Sequence, residues 1–215
     1  YYLVRKYFNN INIDLIYAIP SQSFKEWQTT LKNICKLKPS HISTYSLSIE
    51  ESTPLEKSIN SGKLKRISND LEAKMYDFTI KFLKEKEYIQ YEISNFALKN
   101  RECFHNITYW ENKQYIGVGA GAASFLNGIR FKNPSLIEYY IDSISKNKFY
   151  KEEKEKLTGR KKVADKIILG LRMRNGVILN RTIYKYFPKE INNLISLKLL
   201  TQDKNRLLLT KRGLF

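Results

Sequence analysis

The chain has 215 residues, 42% of them hydrophobic, which is enough for one large domain or for one domain with a small appendage. No apolar run approaches the ~20 residues that cross a bilayer, and the N-terminal segment lacks the regions of a secretory signal peptide. The formal net charge of +17 suggests nucleic-acid binding, but the basic residues are scattered without a dense block, so that hypothesis is not favoured.

The two cysteines of the chain are too few for a disulfide framework or for a cysteine-ligated metal cluster, and they favour a reducing, cytoplasmic setting. There is no initiating Met, and the first residues read as the last turns of a helix. The last residues follow a strand-like run. We therefore expect the sequence to be a piece of a longer protein.

The first half of the chain alternates between predicted strands and predicted helices. Strands are predicted at 11–19, 41–49 and 88–94, and a fourth strand with glycine interruptions at 114–126. Apolar residues at helical spacing predict a helix after each of the first two strands, with Ser23 as an N-cap. This order with short links predicts parallel strands joined by right-handed crossovers.

Polar side chains alternate with apolar ones along the first three strands. The polar sets are Asn12 and Asp14, then Thr44, Ser46 and Ser48, then Gln90, Glu92 and Ser94. Parallel strands covered on both faces are usually apolar throughout, so we expect these sets to share the lumen side of a partial barrel that holds a polar ligand. The alternative is a sheet surface that faces solvent.

The second half has a different character. A helix and a charged linker cover about 133–159, and three helices with a turn at Gly176 precede two short strands. This pattern is typical of a small winged-helix domain, which binds DNA in some proteins and only mediates contacts in others. We predict an α/β fold with one domain at 1–135 and a linker helix plus winged-helix-like domain at 136–215.

Five segments carry a resemblance to a known family. They are "NIDLIYAIPSQS", "HISTYSLSIEESTPL", "YEISNFA", "HNITYW" and "YIGVGAGAASF". In this order and spacing they resemble the HemW-type haem chaperones, which are radical S-adenosylmethionine (SAM) proteins related to oxygen-independent coproporphyrinogen III oxidases. The resemblance extends over essentially the whole chain. It implies the C-terminal part of a partial (β/α) radical-SAM barrel followed by the winged-helix-like domain.

The resemblance also implies two cofactors, SAM and a 4Fe–4S cluster. In such proteins three closely spaced cysteines near the N-terminus hold the cluster and leave one iron for SAM. Cys35 and Cys103 are far apart in this sequence and do not form such a triplet. We expect the cluster ligands to lie outside this chain, and we expect the chain alone to be catalytically inactive.

Three residues match the SAM pocket of the resembling family. Asp14 corresponds to an aspartate that contacts SAM, and a carboxylate there can accept hydrogen bonds from ribose hydroxyls. Ser48 and Ala123 match small residues that line the same pocket, where small side chains permit close approach. We expect all three to point to one cavity. Two departures from the family are Ala18, usually Gly, and Ala123, which is His in many members.

The resemblance links "HNITYW" to haem binding. It implies that His105 is an axial ligand of the haem iron, that Asn106 orients the imidazole, and that Tyr109 and Trp110 form one apolar wall beside it. An exposed imidazole is expected. The alternative is that His105 caps a loop and the aromatic rings seal the barrel floor.

Three functions remain open at this point. The first is a haem chaperone that delivers haem to respiratory proteins, with a homodimer as one assembly. The second is a coproporphyrinogen III dehydrogenase, and the third is a winged-helix protein that binds nucleic acid. The two motifs "HNITYW" and "YEISNFA" favour the first over the second.

Overall fold

The computed structural model describes residues 1–214, which form two compact units, Tyr1–Glu102 and Cys103–Leu214. We call them the first unit and the second unit. The domain boundary expected at residue 135 stays a prediction. Within residues 1–214, no helix is long and apolar enough to cross a membrane.

The first unit contains four helices and one four-stranded sheet. Its elements are α1 Tyr2–Arg5, β1 Asn12–Tyr17, α2 Phe24–Leu37, β2 His41–Ser46, α3 Pro54–Asn60, α4 Asn69–Glu85, β3 Ile89–Gln90 and β4 Asn95–Ala97. The strand order is β1-β2-β4-β3, and β1 and β2 are parallel as predicted.

Helices α2 and α4 cover one face of this sheet. Leu15 and Tyr17 of β1 are buried there, and the Tyr17 ring centroid lies 5.4 Å from that of Trp27 and 6.4 Å from that of Tyr76. Helix α2 begins with a capping box, in which the Ser23 side chain accepts from the Glu26 amide and the Glu26 carboxylate accepts from the Ser23 amide. We call this side the helix-covered face.

The third predicted strand is wrong in extent and in pairing. Only Ile89–Gln90 is extended, and the chain then turns back into β4, which pairs antiparallel to both β2 and β3. The return strand β4 therefore occupies the position beside β2, and β3 lies at the edge of the sheet. The apolar alternation of 88–94 does not encode this pairing, because the turn at residues 91–94 is irregular.

The predicted common polar side is also wrong for the second and third strands. The register pairs Leu15 with Thr44 and Tyr17 with Ser46, so both polar residues lie on the helix-covered face. There the Ser46 hydroxyl donates to the Glu72 carboxylate of α4 at 2.5 Å. Gln90 likewise donates to the Tyr76 hydroxyl at 2.9 Å. Which face of the sheet the polar side chains of a strand occupy depends on its register with the neighbouring strand. The sequence of one strand does not specify that register.

The second unit contains two small antiparallel sheets. Its elements are α5 Phe104–Trp110, β5 Ala123–Leu126, β6 Ile129–Lys132, α6 Ile137–Ser145, β7 Glu152–Lys156, α7 Gly159–Gly170, β8 Val177–Ile178, α8 Arg181–Tyr186, α9 Pro188–Ser196, β9 Leu200–Asp203, β10 Arg206–Leu209 and a 3-10 helix at Arg212–Leu214. The sheet orders are β5-β6-β7 and β8-β10-β9.

Two predictions for this unit need correction. The fourth predicted strand is reduced to Ala123–Leu126, which forms a hairpin with β6 and so belongs to an antiparallel sheet. The charged linker contains β7, an edge strand that pairs with β6. Charged side chains are tolerated on such an edge because they discourage further strand pairing.

The winged-helix prediction is confirmed by the order α7, β8, α8, α9, β9, β10. Its core is built from six buried apolar residues, Val177, Leu179, Ile183, Ile191, Leu200 and Leu207. Gly176 has a positive φ of +62°, and a Cβ there would lie 2.1 Å from the Leu207 carbonyl oxygen. The turn between α7 and β8 therefore requires glycine.

Candidate functional site

Asp14 lies in β1 on the side of the sheet opposite the helix-covered face. The register places Asn12 and Asp14 of β1 beside His41 and Ser43 of β2, and we call these four residues the polar face. Asp14 is exposed, so its carboxylate is accessible to a ligand. The side-chain amide of Asn12 donates to Asp14 Oδ1 at 2.6 Å and to Ser43 Oγ at 3.0 Å.

The polar face contains one histidine that the sequence interpretation did not assign. His41 is only 4% exposed, and its Nδ1 lies 2.6 Å from Asn12 Oδ1 while its Nε2 lies 2.8 Å from the Tyr91 hydroxyl. Burial lowers the pKa of His41, because desolvation disfavours the imidazolium, although Asp14 and Glu102 partly oppose this effect. The ring is therefore neutral near pH 7.

Ser48 follows β2 and lines a cavity of about 400 Å³ at the carboxyl ends of β1 and β2. Other residues that line this cavity include Ala18, Ser46, Arg66 and Glu72. Ligands of open α/β sheets commonly bind at such carboxyl ends. Asp14 is not among the lining residues, so the structure does not bring Asp14 and Ser48 to one shared cavity.

Ala123 begins β5 in the second unit and is half-buried. In the hairpin register it pairs with Lys132, and Phe125 pairs with Arg130 on the same face. Its role in a SAM pocket stays a prediction.

The "HNITYW" segment forms most of α5, a short helix of the second unit. His105 is exposed, and its ring meets the Tyr109 ring edge-on with the centroids 4.7 Å apart. Tyr109 in turn contacts the Tyr115 ring at 4.3 Å. His105 and Tyr109 are four residues apart and share one side of the helix.

Trp110 lies on a different side of α5 from His105. The Arg172 guanidinium carbon stacks over the Trp110 ring at 4.2 Å from its centroid, and the buried Trp110 Nε1 has no hydrogen-bond partner among the described residues. The expected single wall of Tyr109 and Trp110 is therefore wrong. Adjacent helical residues diverge by about 100°, and for the same reason Asn106 and His105 do not face each other.

A cavity of about 420 Å³ also lies in the second unit. Its lining is mostly apolar and includes Phe131, Tyr140, Phe149 and Lys151. His105 is not among its lining residues. In the β5–β6 hairpin the cavity is bordered by Ser124 and Phe131, whereas Phe125 on the other face approaches Tyr115.

The described residues do not provide a ligand set for an iron–sulfur cluster. Residues 1–214 contain no group of three or more His, Cys, Asp or Glu side chains placed to hold a metal ion. Neither cysteine forms a disulfide within the described residues, and Cys35 belongs to the first unit while Cys103 belongs to the second.

Comparison with known proteins identifies relatives over nearly the whole chain. The model of the HemN C-terminal domain family matches residues 157–215. The heme chaperone HemW of Lactococcus lactis is 36% identical over 213 residues, covering 96% of this chain and 56% of that protein. HemW of Bacillus subtilis is 32% identical with the same coverage. Over nearly its whole length, the chain is therefore similar to the heme chaperones HemW.

This similarity confirms the resemblance that the five sequence segments indicated. The chain spans 56% of the length of these two HemW proteins. The radical SAM domain-containing protein 1 of Danio rerio mitochondria is 41% identical over 112 residues, which is 52% of this chain and 25% of that protein.

The fold is confirmed by a solved structure. Coproporphyrinogen III oxidase (HemN) from Escherichia coli, a radical SAM enzyme, superposes with a TM-score of 0.76 at 19% identity, covering 98% of this chain and 53% of that one. The described residues form the mixed α/β part of this fold, and they do not close a barrel.

Proposed function

We propose that the protein is a haem chaperone of the HemW type, which binds haem and passes it to haem-containing respiratory proteins. The names of the relatives support this proposal, and one observation in the structure carries it. His105 of the "HNITYW" segment is exposed on α5 and lies against the Tyr109 ring.

An exposed imidazole with an aromatic neighbour suits an axial ligand of haem iron. A neutral imidazole nitrogen is a common proximal ligand, and it must be accessible to reach the metal. The row of rings formed by His105, Tyr109 and Tyr115 presents apolar surface that a porphyrin plane would cover. Trp110 is not part of this surface, because it lies on a different side of α5, where the Arg172 guanidinium covers its ring.

Haem titration of the intact protein tests this proposal. We expect a shift of the Soret band that is strongly weakened in His105→Ala, because the axial ligand is lost. A matched control is His41→Asn, since the buried His41 ring has partners at both nitrogens and is expected not to ligate iron. A Soret shift in His105→Ala equal to that of the parent would return "HNITYW" to a packing role.

We also propose that the protein binds SAM, with Asp14 as a ligand of the ribose hydroxyls. The residues present fit this group, because Asp14 is exposed and Asn12 holds one of its oxygens. When bound beside a reduced 4Fe–4S cluster, SAM would supply a 5′-deoxyadenosyl radical. The roles of Ser48 and Ala123 in a SAM pocket stay predictions, because Ser48 lines a cavity without Asp14 and Ala123 belongs to the second unit. The cluster ligands are proposed to lie outside this chain.

The two alternative functions receive no specific support from the described residues. Coproporphyrinogen dehydrogenation would be recognised by loss of propionate carbon dioxide from the substrate. For nucleic-acid binding, the third helix of a winged-helix domain is usually basic, but α9 carries one Lys and one Glu. Its Glu190 is paired with Arg160. A cytoplasmic location and a homodimer stay predictions.

A further inference from the structure

The hydrogen bonds on the polar face have only one consistent set of donors. Asn12 donates through Nδ2 to the Asp14 carboxylate, which accepts but does not donate. The Asn12 Oδ1 must therefore be the atom that faces His41. A carbonyl oxygen only accepts, so His41 Nδ1 carries the proton of the neutral ring.

The other ring nitrogen of His41 completes the chain of hydrogen bonds. With Nδ1 protonated, Nε2 is an acceptor, and the Tyr91 hydroxyl donates a hydrogen bond to it at 2.8 Å. The order of donors is then Tyr91 to His41, His41 to Asn12, and Asn12 to Asp14. Ser43 reinforces it by donating to Asn12 Oδ1 at 3.2 Å.

The side chains at the two ends of this hydrogen-bond series differ in rigidity. Asn12 and Asp14 are exposed, and an exposed pair of short side chains has several rotamers of similar energy. His41 is buried and hydrogen-bonded at both ring nitrogens, so its ring has one orientation. Its hydrogen bond to Asn12 Oδ1 therefore restricts the rotamer of Asn12. A carboxylate in one orientation presents the same oxygen to every ligand that approaches it.

We propose that His41 is a positioning residue, which acts through Asn12 to hold the Asp14 carboxylate in the orientation that accepts a ribose hydroxyl. This inference rests on the proposed SAM site at Asp14. His41 itself is buried and does not touch the ligand. The role is therefore distinct from that of Asp14, and a change at His41 alters ligand discrimination instead of abolishing binding.

Two substitutions of His41 separate positioning from packing. His41→Asn keeps a side-chain N–H near the place of Nδ1, and His41→Leu has a similar size but no donor. Both lose the contact with Tyr91, so they share that cost in stability. The thermal midpoint of each variant checks that both are folded to the same extent.

The readout is the ratio of two dissociation constants measured on the intact protein by titration calorimetry. The ligands are S-adenosylhomocysteine and its analogues that lack the 2′ or the 3′ hydroxyl. We expect the parent and His41→Asn to prefer a ribose hydroxyl by about tenfold or more, as for a hydrogen bond to a charged group. In His41→Leu and in Asn12→Leu, we expect this preference to fall to about twofold or less.

The outcomes distinguish the inference from the proposed function on which it rests. Full discrimination in His41→Leu, or equal loss in His41→Asn and His41→Leu, would overturn the positioning role while leaving the SAM site in place. If Asp14→Asn binds and discriminates like the parent, or the parent binds no S-adenosylhomocysteine, the SAM site itself is wrong. The tautomer is tested separately, because a ¹H–¹⁵N spectrum of the parent that shows a proton on His41 Nε2 in place of Nδ1 would also overturn the inference.

Discussion

Burial and hydrogen bonding both oppose a positive charge on the His41 ring. The residue is 4% exposed. Its Nδ1 donates a hydrogen bond to the Asn12 side-chain oxygen, and its Nε2 accepts one from the Tyr91 hydroxyl. Protonation would place a donor where the ring now accepts, and it would create a charge in a desolvated site. Asp14 and Glu102 are the carboxylates that reduce this penalty.

The lowered pKa of His41 predicts how stability depends on pH. The folded-state pKa lies below the ordinary value of 6.5, so the unfolded chain binds more protons as the pH falls past that value. The contribution of neutral His41 to the free energy of unfolding is therefore complete above about pH 6.5, and it is lost as the pH falls toward the folded-state pKa. Urea unfolding at about pH 7.5 and about pH 5.5 measures the change in the free energy of unfolding.

The chain offers a matched control, because its other histidine, His105, is exposed. We expect His105→Asn to lose as much stability on acidification as the parent, and His41→Asn to lose less. Equal losses in His41→Asn and in the parent would show that another group causes the pH dependence.

Helices α2 and α4 meet through a buried polar pair. The Trp27 indole N–H donates to Thr79 Oγ1 at 2.9 Å, and both residues are fully buried. The Thr79 hydroxyl in turn donates to the Met75 carbonyl oxygen within α4. The pair thus satisfies the one polar atom of a large apolar side chain in the core of the first unit.

Thr79→Val is expected to destabilise the first unit by about 1–3 kcal/mol, because it leaves the Trp27 N–H buried without an acceptor. Denaturant unfolding measures the effect. Thr29→Val is the control, since that hydroxyl is exposed and only donates to its own helix, and we expect a change within about 0.5 kcal/mol.

A double-mutant cycle with Trp27→Phe assigns the cost to the pair. If the hydrogen bond is responsible, the two substitutions together cost less than the sum of each alone. Strict additivity would attribute the loss to packing changes at each site separately.

The positive charge of the protein is distributed unevenly along the chain. Residues 103–214 contain 22 Lys and Arg against 9 Asp and Glu, whereas residues 1–102 contain 16 against 12. The proposed haem ligand His105 belongs to the more basic of these two parts. Haem carries two propionate carboxylates, so a basic surface would draw it toward this unit over long range.

The rate at which haem associates is therefore expected to fall several-fold as the salt concentration rises from about 0.05 M to about 0.3 M, where the Debye length shortens. The dissociation rate is expected to change much less. Stopped-flow absorbance at the Soret band measures both rates. An association rate that is independent of salt would show that the charge does not steer haem.

Local patterns in the sequence were sufficient for several elements. The alternation at 11–19 and 41–49, the Ser23 cap and the apolar residues at helical spacing after it correctly predicted β1, α2 and β2. The winged-helix order was also predictable from the sequence, because its helices contribute apolar residues to one core and Gly176 marks the turn after α7. These patterns involve residues that are near in sequence, so they predict local structure without knowledge of the rest of the fold.

Strand pairing and its consequences required long-range information. The insertion of β4 beside β2, the hairpin of β5 and the edge strand β7 depend on which strands meet, and no single segment encodes that. The register placed Ser46 under α4 and brought His41 beside Asn12, twenty-nine residues away in the chain. The proposal for His105 came from its motif. The proposal for His41 required the register of the parallel strands, because the register decides which side chains lie next to each other.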